Sequence, residues 1–186
     1  MQLDNIENMI EVINKRIEQI DNTEIKELEK RKVKEAIDIL VAIKRSLGEK
    51  SSDINRFRDQ QELTLAAKFI RSPFLQKRIQ GLNDLKEFSK RLHSNKYAEV
   101  GMDSKSFCNW LIEEKVIPHI FGESCHGQLV QRSTELLRLM SQYNKLPVEY
   151  VDILWNSTKG KHEDIVRRTY DVIVSLVEWL DLRVIE

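Results

Sequence analysis

Between Leu146 and Leu180 the apolar residues recur at helical spacing on stripes too wide to be left in water, and this limits the fold more than any other feature of the chain. A short helix beginning at Pro147 carries Val148, Tyr150, Val151, Ile153, Leu154 and Trp155, and it runs into the polar corner Asn156-Ser157-Thr158-Lys159-Gly160-Lys161. A longer helix then extends from His162 to Leu180 with Ile165, Val166, Thr169, Tyr170, Ile173, Val174, Leu176 and Val177. The pair is a helical hairpin that needs further helices to cover it.

The upstream chain repeats the pattern. Leu3, Ile6, Ile10, Ile13, Ile17 and Ile20 form a narrow seam that fits either an intramolecular hairpin or a coiled-coil partner. Asp21-Asn22-Thr23 breaks it and caps a second helix over about 23–47, which Gly48 stops. The polar stretch 49–53 is the natural internal boundary, giving a helical hairpin or coiled-coil-like extension over 1–50 and a helical domain over 51–186. Helices follow over about 54–70 and from Ser72-Pro73 onward. Gly81, inside the latter, costs up to about 1 kcal/mol against alanine, so a neighbouring helix is expected to cross closely there. Asp103 is placed to cap a helix with Phe107, Trp110 and Leu111, Pro118 starts a short turn closed by Gly122, and a helix spans about 127–143. No sustained alternation signals a strand. Helix after helix joined by short corners is the pattern of an all-α, armadillo/HEAT-like array of stacked hairpins.

Composition narrows the functional classes. The 30 basic and 30 acidic residues among 186 cancel, so no long-range field would gather nucleic acid or an anionic membrane. No apolar run approaches the roughly 20 residues of a membrane helix, and Met1 to Asn5 lacks the pattern of a secretory leader. Cys108 and Cys125 show no disulfide framework, which points to a reducing compartment, the cytoplasm or the nucleus.

The candidates for chemistry have plainer structural explanations. Cys125 and His126 are adjacent, which on a helix points them about 100 degrees apart, so a dyad of Cys108 or Cys125 with His119 or His162 needs tertiary folding. His119, Cys125 and His126 lack the paired short spacings of a zinc site. Lys159-Gly160-Lys161-His162-Glu163 lacks the Gly-x4-Gly-Lys-[Ser/Thr] pattern of a phosphate loop. In the structural reading Gly160 permits the corner, Glu163 complements the helix dipole, and His162 hydrogen-bonds across to the preceding hairpin. Trp110, Trp155 and Trp179, with Phe107, Tyr143 and Tyr170, could line an aromatic binding groove, but each falls on an otherwise apolar helical face and is expected to pack between helices. Lys30-Arg31-Lys32 and Lys34 alternate with Glu27, Glu29 and Glu35 as a solvated surface. Trp179 and Leu180, near the open end of the array, are the candidates for a partner surface. No catalytic residue, cofactor or metal is expected.

The runs Ser106-Phe107-Cys108-Asn109-Trp110-Leu111, Leu136-Leu137-Arg138-Leu139-Met140, Leu146 to Trp155 and above all Gly160-Lys161-His162-Glu163-Asp164-Ile165-Val166 resemble the armadillo-like region upstream of the protease domain in large ubiquitin-specific proteases of the fat facets type. Phe69 to Leu75, with Arg78, Ile79, Leu82 and Asn83, resembles the portion preceding it there. The resemblance covers about 55–182 and implies a helical arm that positions substrates or partners of the ubiquitin pathway. The family's peptidase activity resides in a papain-like domain with a cysteine box and a histidine box. Phe-Cys108-Asn-Trp and Ser-Cys125-His-Gly match neither, so this chain is expected to carry no peptidase chemistry, although a longer parent product would be a thiol-dependent deubiquitinase. The expected role is a noncatalytic protein-interaction scaffold; the alternative is a self-associating structural protein that dimerises through the seam of residues 3 to 20.

Overall fold

The helical periods and their punctuation are realised as nine helices and no strand among the described residues. The computed structural model describes residues 19–93 and 101–177 together with Asn8, Glu11, Val12, Lys15 and Arg16, the side chains of Asn22 and Thr23 excepted. The helices are α1 (Asn22–Glu27), α2 (Lys30–Ser46), α3 (Ser51–Arg71), α4 (Leu75–His93), α5 (Ser104–Glu113), α6 (Val116–Phe121), α7 (Gly127–Gln142), α8 (Val148–Asn156) and α9 (Glu163–Leu176). Of the isoleucine seam, Leu3, Ile6, Ile10, Ile13 and Ile17 lie outside the described residues.

Local signals set most boundaries. The Asp21 carboxylate accepts the Glu24 amide at 2.8 Å and starts α1; the Asp103 carboxylate accepts the Ser106 amide at 2.7 Å and starts α5. After α2, the Gly48 amide donates to Arg45 and the Glu49 amide to Lys44, satisfying two of the last carbonyls. Of the boundaries that differ from the sequence expectation, α6 begins at Val116 instead of Pro118 and α3 at Ser51 instead of about 54, and two others have a polar cause. The helix expected over about 23–47 is broken at Leu28-Glu29, because the Leu28 carbonyl accepts the Lys77 ammonium at 2.7 Å and Glu29 is extended. The helix expected from Ser72-Pro73 begins at Leu75, because the Ser72 hydroxyl accepts the Phe74 amide at 3.2 Å and closes a turn first.

Packing builds two layers. α3 and α4 form an antiparallel hairpin: Gly81 of α4 lies against Ala66 and Phe69 of α3, and Arg91 near the end of α4 pairs with Glu62. α7 runs parallel to α4, with Lys86 on Glu135 at 3.2 Å and His93 near Gln142. α9 in turn runs parallel to α7, with Gly127 against Asp164 and Gln131 accepting a 2.8 Å bond from Arg168. Thus α4, α7 and α9 make one layer, while α6 touches both α3 and α8 in the other. Parallel succession of equivalent helices is the geometry of stacked hairpins, so the chain is an armadillo/HEAT-like all-α array.

One apolar core runs through this array, from Leu63 and Leu82 through Phe107, Ile117 and Leu136 to Leu154, Val172 and Leu176. A second cluster joins Ile25, Val33, Ile37 and Val41 to Ile54, Leu65 and Phe69 on the other side of α3. The hairpins are also joined by a buried cation. Arg78 of α4 donates to the carbonyls of His119 and Ser124, both at 2.7 Å, and to the Ser124 hydroxyl at 2.9 Å. It thereby satisfies backbone acceptors at and just after the C-terminal end of α6, where the helix dipole favours positive charge.

These contacts yield two expected outcomes. A Cβ at position 81 would sit 2.6 Å from the Ala66 carbonyl oxygen and 2.8 Å from the Phe69 Cβ. Gly81→Ala should therefore lower stability by about 1–2 kcal/mol in chemical denaturation, despite alanine's better helix propensity. Arg78→Met should cost about 2–4 kcal/mol, because it strands two carbonyls and a hydroxyl inside the array.

Candidate functional site

Thiols and imidazoles are the groups best suited to nucleophilic chemistry, and the fold uses them otherwise. Cys108 is fully buried on α5, and burial pushes its thiol up to about 11, far from the thiolate needed for attack at neutral pH. Cys125 is half-buried before α7; burial raises its pKa too, against the opposing pull of Lys161 and Arg78. The His119 imidazole is held below its ordinary range by burial and by Arg71. His126 and His162 serve as helix caps: Nδ1 of each accepts a 3.2 Å bond from the amide two residues on, Gln128 in α7 and Asp164 in α9. Nδ1 can accept only when unprotonated, so both caps require the neutral ring with its proton on Nε2. Among the described residues no cluster of three His, Cys, Asp or Glu side chains could hold a metal ion.

The corner from Trp155 to Glu163 brings its predicted residues together. The Ser157 and Thr158 hydroxyls each donate at 2.7 Å to carbonyls of α8, closing that helix. Gly160 follows at φ +67°, a conformation that a side chain would strain. Lys161 then reaches the preceding hairpin, its ammonium donating to the Glu123 carbonyl at 3.1 Å. The bond across the repeat thus comes from Lys161, while His162 caps its own helix. Glu163 and Asp164 occupy the first turn of α9. Trp155, expected to pack between helices, is instead 54% exposed, because it lies on the outer side of the short α8 with its ring 5.8 Å from that of Tyr170. Trp179 and Leu180 lie outside the described residues.

A cleft of about 300 Å³ opens between α2 and α4, with α3 as its floor. Ile37, Leu63, Ala66, Leu85 and Phe88 line it, and ion pairs cross its rim from Lys30 to Asp84 and from Arg91 to Glu62. Burial holds the Asp84 carboxyl above its usual range, against the Lys30 hydrogen bond that lowers it. Arg91 also lies over the Phe88 ring at 5.0 Å, and exposed Lys34 and Glu87 complete the rim. The sequence signal for this cleft was partial. Arg31 with Glu35 and Lys32 with Glu29 are solvated pairs along α2, whereas Lys30 of the same cluster crosses to α4. An apolar floor ringed by charges of both signs suits an apolar side chain presented by a polypeptide.

Asp59, on α3, is 4% exposed, and its carboxylate accepts the Gly101 amide at 2.8 Å. Burial raises its pKa to about 6, against the lowering effect of that hydrogen bond and of Arg91. The site anchors the chain as it enters α5, for Gly101 lies directly against the backbone of Asn55 and Arg56.

Comparison with known proteins places this architecture. A family model described as the UBP24/USP9X/USP9Y ARM repeat matches residues 56–182. The chain is 29% identical over 129 residues to ubiquitin carboxyl-terminal hydrolase 34 of Homo sapiens, covering 66% of this chain and 4% of that protein. It is 27% identical over 129 residues to ubiquitin carboxyl-terminal hydrolase puf of Drosophila melanogaster, covering 67% of the chain and 3% of the relative. Over 184 residues it is 22% identical to ubiquitin carboxyl-terminal hydrolase 9Y of Mus musculus, covering 90% of the chain and 7% of the relative. The chain therefore spans less than a tenth of the length of these curated relatives. No solved structure matches.

Asp59 sets a pH dependence. Its folded pKa, about 6, lies above the ordinary 3.8, so between these values the folded state holds the extra proton. Its contribution to stability is complete below about pH 4 and is lost as pH rises through 6. Asp59→Asn removes this titration and keeps an acceptor for Gly101. The variant's melting temperature should gain on the unmodified protein's as pH rises from 4 to 7.5, and the gain should be flat above about 7.

Proposed function

The chain belongs to the UBP24/USP9X/USP9Y armadillo-repeat family, and we propose that it acts as a noncatalytic scaffold that positions a protein partner of the ubiquitin pathway. The observation that carries this reading is the cleft over α3. Its apolar floor takes one or two side chains of a partner, and the charges of Lys30, Lys34, Glu62 and Glu87 select what flanks them. Stacked hairpins suit such a role because each is fixed by its neighbours, so the cleft walls are held in place before a partner arrives. The relatives' names describe ubiquitin hydrolases, and a parent polypeptide carrying their activity would use this segment to bring substrate toward chemistry performed elsewhere. The two free thiols support a reducing compartment, the cytoplasm or the nucleus.

Proximity labelling in cells tests the scaffold. The full chain is compared with a Lys34→Glu, Glu87→Lys variant, which reverses two exposed rim charges without touching the core. A subset of labelled proteins should fall about tenfold or more in the variant while its melting curve is unchanged. Identical labelling would overturn the assignment of the cleft. The purified chain is also expected not to release the fluorophore from a ubiquitin–aminocoumarin conjugate. Release abolished by Cys125→Ser would instead make the chain an enzyme.

A further inference from the structure

Large exposed hydrophobic side chains are ordinary when scattered, but here they are gathered. Of the seven among the described residues, Val148, Trp155, Tyr170, Val174 and Val177 belong to α8, α9 and the C-cap of α9. The apolar stripe of α9 is wider than the core covers. Thr169, Val172 and Leu176 face the core, whereas half-buried Val166 and exposed Tyr170, Val174 and Val177 recur at helical spacing on the adjoining outer face. Val174 is 69% exposed and Val177 52%. Trp155 of α8 packs its ring against Tyr170, so the outer face has a broad aromatic centre with valines on either side. An apolar face of this kind marks an interaction surface.

The charges beside it indicate the occupant. Arg167 and Asp171 follow one another by one helical turn along the same edge of the stripe, both exposed. Arg167 reaches Asp164 only at 3.5 Å and keeps 71% side-chain exposure, so little holds it in that pairing. Asp171 contributes to the field on Arg168. A positive charge followed by a negative one complements itself when two identical helices run antiparallel. A two-fold axis near Tyr170 sets Val166 opposite Val174 of the second copy and carries Arg167 toward Asp171, and the symmetry repeats both contacts. A parallel two-fold would instead turn this edge away from its counterpart and pair neither charge.

We infer that the outer face of α8 and α9 is a self-association surface, through which two copies of the chain pair with antiparallel α9 helices and reciprocal Arg167–Asp171 contacts. This surface is separate from the cleft over α3, and the pairing invokes none of residues 3 to 20.

Sedimentation of the full chain over about 1–200 µM tests it, a range that spans ordinary homodimer affinities. The mass should double with concentration. Val174→Glu should leave a monomer with an unchanged melting curve, because the side chain is exposed and makes no core contact. Arg167→Glu and Asp171→Lys should each weaken association about tenfold or more, and their combination should restore it to within about threefold. A monomer at every concentration overturns the inference and leaves the face to a different molecule. A dimer indifferent to Val174→Glu also overturns it and transfers the contact elsewhere. Failure of the charge exchange to restore association rules out the antiparallel register.

Discussion

The close approach of α4 to α3 at Gly81 is the contact on which the architecture rests. With no side chain at that position, the backbones meet and the flanking residues Leu82, Leu85, Ala66 and Ile70 interlock at full depth. That depth determines how far Arg78, one turn before Gly81, projects toward the corner after α6. A wider separation would withdraw the guanidinium from the His119 and Ser124 carbonyls, and the second hairpin would lose its polar anchor. The angle of the cleft over α3 depends on the same contact, because α4 supplies one wall and α3 the floor.

From there the array propagates by repetition of a device. Successive parallel helices α7 and α9 each begin with a histidine cap, and each is tied to the preceding unit by polar side chains that act over one helix spacing. Such bonds are individually modest. Their value is orientational, since apolar packing alone would permit a range of crossing angles between hairpins. Some reactive residue types serve this framework: the His126 and His162 imidazoles cap helix starts, Cys108 fills apolar space and Cys125 lies beside the buried Arg78.

Much of the fold was legible in the sequence because its signals are local. The caps at Asp21 and Asp103, the stop at Gly48 and the crossing at Gly81 follow from residue type and spacing, and the structure contains each of them. The break at Leu28 was not legible, since the acceptor of the missing helical bond is claimed by Lys77, far along the chain. The same limit applied to the site. Gly160 marks its corner plainly, but whether Lys161 or His162 spans the repeat depends on where the Glu123 carbonyl lies, and the cleft is assembled from three helices, none of which records it alone.

α3 is apolar on both sides, with Leu63, Ala66 and Ile70 turned into the main core and Leu65 and Phe69 into the cluster with α1 and α2. It is a partition between two compartments of unequal size. Loss of the smaller one strips a single flank of α3 and leaves the other sealed, so α1 and α2 can detach as a subglobal opening whose free energy is well below that of complete unfolding. The cleft would lose the wall formed by α2 in the same event. A molecule bound in the cleft would therefore be thermodynamically coupled to the attachment of the N-terminal layer, adding to the packing that already holds that layer in place.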